Sequence, residues 1–207
     1  MLAKKRILLI MIGLILVSSI AGCAVNQAEN TLVITPMELF DREAEKFEPF
    51  MGMTSGSKLA VRGEGSINVD VEEWEYGQLV RQGASLSQPI PVTSGADKSA
   101  NSTEHELIIS VLPIQVKEEK GYLIQVALSN ESGTSKILSY VEENPHITGW
   151  TYGQVGEEQI LGRGESVYMM GLKGSSKGPI SSIADLEQEK ETAEWMLLFR
   201  VEYAEEF

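Results

Sequence analysis

The side chains that could do chemistry are few: two histidines, one cysteine, scattered serines and thirty carboxylates. His105 and His146 fall in no H-x-x-x-H or H-x-H spacing, so they begin no zinc ligand set. His146 follows Pro145 and reads as a solvated loop residue. Ser55-Gly56-Ser57-Lys58 has the S-x-x-K spacing of penicillin-recognising enzymes, but no S-D-N or K-T-G accompanies it. Gly63-Glu64-Gly65 and Gly162-Arg163-Gly164 lack the third glycine and the following helix of a dinucleotide loop, and read as turns or bulges before strands. Asp97-Lys98-Ser99-Ala100-Asn101 starts like a calcium loop without its glycine at position six or glutamate at twelve. With so many carboxylates some pair must lie close in space, which does not argue for a glycosidase. The expectation is a protein that is not an enzyme, with no catalytic residue, no metal ligand and no cofactor assigned.

The cysteine stands in a more specific context. Lys4, Lys5 and Arg6 precede the unbroken apolar run Ile7 to Val17, and small residues lead to Cys23. A charged head, a short apolar middle and a small-residue cut site describe an export signal. The run is too short to span a bilayer, which needs roughly twenty apolar residues. Ile20-Ala21-Gly22-Cys23 resembles the lipobox of bacterial lipoproteins. That resemblance implies that residues 1–22 are removed and that Cys23 is acylated as the new N-terminus. One acyl chain anchors only marginally, and the diacylglyceryl group the resemblance implies supplies the second. The expected location is the extracytoplasmic face of the bacterial cell membrane. Residues 23–30 are the lipidated tether, roughly 25 Å at full extension. Residues 31–207 are expected to form a single domain.

The chain carries a formal net charge of −13. Three of its 17 cations lie in the leader and none of its acids does, so the exported part is more acidic still. Such a surface repels nucleic acid phosphate and anionic headgroups, which leaves lipid on Cys23 as the only membrane contact and excludes a nucleic acid partner. With Cys23 lipidated, no thiol remains for a disulfide, and packing alone must hold the domain.

Thr35-Pro36-Met37-Glu38 combines a cap, a proline at the first helical position and a capping-box glutamate. Met37, Phe40, Ala44, Phe47 and Met51 then mark one stripe of an N-terminal α-helix ending near Glu48. Beyond Lys58 the period is two. Strands are expected at Leu59–Val61, Ile67–Trp74, Gln78–Arg81, Leu107–Val111, Tyr122–Leu128, Lys136–Val141, Val167–Leu172 and Trp195–Tyr203. Turns fall at Tyr76-Gly77, Glu119-Lys120-Gly121 and Asn130–Gly133, and Ser85 to Thr103 is a long loop. Ser181 to Glu194 is either a short helix or an acidic loop. The sum is a mainly β chain, an antiparallel β-sandwich with one N-terminal α-helix.

Gly149-Trp150-Thr151-Tyr152-Gly153 sets two aromatics between glycines. In a loop, Trp150 and Tyr152 could anchor a sugar or a protein. In a strand they share one side, and large aromatics are usually buried, so a core-facing position is the expectation. The layout as a whole resembles a family of small uncharacterised lipoproteins of Gram-positive bacteria, through the lipobox, Ile34-Thr35-Pro36-Met37-Glu38-Leu39 and Val71-Glu72-Glu73-Trp74-Glu75-Tyr76-Gly77. The resemblance implies fold and location and carries no activity. The expected role is binding or interaction at the cell surface, with a protein or carbohydrate partner at the envelope. An envelope-acting hydrolase, or an accessory subunit of a membrane complex, is the alternative.

Overall fold

The computed structural model describes residues 30–90, 102–178 and 180–205. The leader, Cys23, most of the tether and the Asp97–Asn101 motif lie outside the described residues. Eleven strands are present: β1 Thr31–Met37, β2 Met53–Arg62, β3 Gly65–Glu75, β4 Gln78–Ile90, β5 Ser102–Val116, β6 Glu119–Asn130, β7 Gly133–Glu142, β8 Gly149–Gln154, β9 Gln159–Gly162, β10 Ser166–Ser175 and β11 Trp195–Ala204. One short helix, α1, spans Leu186–Lys190.

All strand pairings are antiparallel. A six-stranded sheet runs β7-β6-β5-β2-β1-β9 and a five-stranded sheet runs β4-β3-β11-β10-β8. The alternation explains how they meet. Leu32, Ile34, Leu59, Val61, Ile109 and Ile124 from the first sheet join Val69, Val71, Leu197, Phe199, Val201 and Tyr203 from the second in one buried cluster. This is consistent with a β-sandwich. The off-face residues of β11 do different work. Met196 and Leu198 meet Tyr168, Leu186 and Ala193 in a second cluster, where the segment carrying α1 crosses the outer face of the five-stranded sheet.

The N-terminal α-helix does not form. Thr35, Pro36 and Met37 end β1, and residues 42–50 make a 3-10 helix whose N-cap residue Asp41 provides no side-chain hydrogen bond. Leu32 and Ile34 are fully buried between β2 and β9, so the period-two signal upstream overrides the capping box. Pro36 is tolerated because β9 stops pairing at Ile34 and asks for no donor there. Phe47 and Met51 of the expected stripe are exposed.

The long loop also shrinks. Ser85 to Ile90 belong to β4 and Ser102-Thr103 to β5, while residues 91–101 lie outside the described residues. The serines there serve the ladder: Ser85 Oγ donates to Asp70 Oδ1 at 2.6 Å and Ser87 Oγ to Asn68 Oδ1 at 2.7 Å. The β5–β6 turn falls at Lys117-Glu118, two residues before the expected place, with Lys117 at φ 58°. Gly121, read as a turn residue, lies within β6, and a Cβ there would strike the Tyr140 ring. The Tyr76-Gly77 turn forms as expected, with φ of 48° and 77°. The ambiguous segment Ser181 to Glu194 contains α1, capped by Asp185, which accepts from Glu187 N–H at 2.9 Å and Gln188 N–H at 3.1 Å.

Candidate functional site

Strand direction gives the molecule two ends. At one, Arg163 donates to the Asn30 side chain at 2.9 Å and to the Glu64 carbonyl at 2.6 Å, and Tyr203 Oη donates to the same carbonyl at 2.9 Å. The described chain begins here, and both glycine pairs noted in sequence make turns here. The opposite end lies roughly 30 Å away, the span of β2 at about 3.3 Å per residue. It collects the Tyr76-Gly77 turn, the β5–β6 tip, residues 143–148 and the starts of β8 and β11.

Large apolar side chains lie open at this far end. Tyr76 is 68% exposed, Val116 57%, Tyr152 47% and Trp150 46%. The expectation that Trp150 and Tyr152 face the core is therefore overturned. Tyr152 pairs with Leu172 and Trp150 with Gly174, so both take the inward side of their sheet. But β8 is the last strand of that sheet, and its inner side is only partly covered.

Two clefts flank residues 143–147. One, of about 250 Å³, is lined by Pro113, Ile114, Lys120, Tyr122, Glu143 and Trp150. Tyr122 also stacks on buried Trp195, with ring centroids 6.0 Å apart. Burial, and secondarily Glu143, push the Tyr122 hydroxyl up to about 12. The other cleft, of about 270 Å³, is lined by Glu75, Tyr76, Asn144, His146, Ser176 and Glu194. Asn144 Nδ2 donates to Glu75 Oε1 at 3.2 Å, and the His146 backbone N–H donates to Asn144 Oδ1 at 3.0 Å. The Ser176 backbone N–H, and after it the Ser176 hydroxyl, hold the Glu194 carboxyl below its ordinary value.

The remaining candidates do not converge. His146 is exposed, whereas His105 is 2% exposed, stands opposite Leu59 and has no hydrogen-bond partner among the described residues on either ring nitrogen. Burial alone lowers its pKa. Ser55 is buried and Lys58 exposed, as an odd spacing on one strand requires, so the S-x-x-K pair shares no site. Among the described residues, no group of three or more His, Cys, Asp or Glu is placed to hold a metal ion. No helix among them is long and apolar enough to cross a membrane.

One polar constellation was not singled out from sequence. On the outer face of the five-stranded sheet, Arg200 contacts Asp70 at 2.7 Å, Glu72 at 2.9 Å and Glu202 at 3.3 Å. The Arg200 Nε contact with Glu72 is a charge contact without hydrogen-bond alignment. Glu72 Oε2 accepts from Tyr168 Oη at 2.8 Å and Trp74 Nε1 at 2.9 Å. Lys190 lies over the Trp74 and Tyr168 rings. Burial, then the Glu72 hydrogen bond, raise the Tyr168 pKa. Every charge here is answered, so the cluster pins the α1 segment to the sheet and leaves no reactive group over. Its sequence signal was the off-face series Asn68, Asp70, Glu72 on β3 opposite Arg200 and Glu202 on β11.

No protein-family model, curated protein or solved structure matches this chain.

Proposed function

We propose that this chain is an extracytoplasmic, lipid-anchored binding protein that presents its far end to a partner at the cell envelope. One observation carries the reading: Trp150 and Tyr152 lie open, Trp150 beside a cleft, at the end opposite Asn30. Exposed aromatics clustered at one end of a protein of this size favour an interaction role, because their burial against a partner recovers free energy that solvent denies them. The lipid on Cys23 would hold the opposite end at the membrane and leave this one facing outward. The acidic surface supports attachment through lipid alone and disfavours nucleic acid.

The rival hydrolase needs a base beside an orienting acid. Among the described residues His105 has no hydrogen-bond partner, and His146 joins its cleft through a backbone bond. Binding is therefore the better-supported role. The test is capture from membranes with the intact lipoprotein, comparing wild type with Trp150→Ala and Tyr152→Ala. Loss of capture with a nearly unchanged melting temperature supports the reading. Undiminished capture by both variants overturns it.

A further inference from the structure

The four sheet edges differ in how they are guarded against pairing. Edge strands are normally protected by charge, proline, bulges or shortness. β4 carries Arg81, Pro89 and two register shifts against β3. β7 carries Lys136 and Glu142, and β9 is four residues long. β8, Gly149-Trp150-Thr151-Tyr152-Gly153-Gln154, has none of these in a chain that is 23% charged. Its pairing with β10 shows no register shift, and every residue is partly or well exposed. Among the described residues, its backbone bonds to nothing except β10.

The register tells which backbone groups are free. The Val155 N–H donates to the Met169 carbonyl at 3.0 Å, one step beyond the Gln154–Met170 pair. In an antiparallel ladder such bonds recur at alternate residues. Thr151 and Gly153 therefore bond inward to β10, while Trp150, Tyr152 and Gln154 turn their N–H and C=O groups to the open edge. The same residues that offer aromatic side chains offer the backbone template.

Charge selects the occupant. From Ile137 to Gly162 there is no Lys or Arg, while Glu142 and Glu143 precede β8 and Glu157 and Glu158 follow it. A second copy of this chain would bring the same glutamates against each other and repel. We propose that β8 receives an extended, basic segment of a partner polypeptide as an added strand. Its apolar residues would alternate toward Trp150 and Tyr152, and its Lys or Arg side chains would lie near the flanking glutamates. This mode supplies affinity through main-chain bonds and selectivity through alternate side chains. The inference rests on the binding role proposed above and specifies its chemistry.

The experiment uses the full chain in detergent micelles and a synthetic alternating Lys-Val peptide about as long as β8. Amide exchange by NMR should slow about tenfold at Trp150, Tyr152 and Gln154, and stay unchanged at Thr151 and Gly153. A Glu-Val peptide of equal length should bind at least about tenfold more weakly, roughly 1.4 kcal/mol. Tyr152→Pro removes one edge donor and should abolish peptide binding. Thr151→Lys, which leaves the backbone intact, should weaken it about tenfold. Equal binding of both peptides, or exchange that does not slow at the three edge amides, overturns strand addition. So does edge protection before peptide is added, which would mean that another segment or copy already fills the edge. If Trp150→Ala loses membrane capture while the exchange pattern fails, the binding role stands and only strand addition falls.

Discussion

His105→Leu should stabilise this protein, and by an amount that grows as the pH falls. The ring is 2% exposed and both nitrogens lack hydrogen-bond partners among the described residues. Leucine of similar size removes buried polar atoms that cost about 1–3 kcal/mol to leave unpaired, so a gain of about 1 kcal/mol is expected near pH 8 after imperfect repacking. The pH dependence follows from burial, which lowers the folded-state pKa of His105 from the ordinary 6.5. The unfolded chain therefore binds the proton more readily. The wild-type fold has its full stability above about pH 6.5 and loses it as the pH falls toward the folded-state value, at up to about 1.4 kcal/mol per pH unit. Between about pH 8 and pH 5.5 the wild type should lose stability relative to His105→Leu, by at most about 1.4 kcal/mol. Urea titrations of both proteins across this range measure it. The difference between them cancels the shared titration of the many carboxylates. Parallel stability curves, with no widening gap below about pH 6.5, would show that His105 is hydrogen-bonded or solvated and that the reasoning is wrong.

Cys23→Ser should abolish labelling by a palmitate analogue and release the protein from the membrane fraction, and continued labelling would refute the anchor. Arg200→Met strands Asp70 and Glu72, each 5% exposed. The expected loss in urea unfolding is about 2–3 kcal/mol, less than for a fully buried pair because the Arg200 side chain is 27% exposed. Trp150→Ala should cost about 1 kcal/mol or less, whereas Trp195→Ala, which removes a buried ring stacked on Tyr122 and bonded to Glu73, should cost about 3–5 kcal/mol. Thermal melts compare the two, and equal losses would place Trp150 in the core.

The sequence alone determined which segments are strands wherever residues alternate sharply. β3, β6 and β11 were legible because the residues of one apolar face must repeat with period two, and that requirement is local, while β10 was legible as an apolar run framed by glycines. The proposal for Cys23 rests on a local signal of the same kind, since an export signal is read as a linear segment. The failures share the opposite cause. Thr35-Pro36-Met37-Glu38 satisfied every local rule for a helix start, yet Thr35, Pro36 and Met37 complete a strand because β2 offers partners distant in sequence. Ser85 to Ile90 looked like loop until cross-strand bonds to Asp70 and Asn68 gave their hydroxyls a purpose. Trp150 and Tyr152 were placed on the same side of a strand, but only the sheet order put that strand at an edge. Alternation specifies which side chains share a face, while exposure depends on what lies across from that face. That is decided by the packing of one sheet on the other.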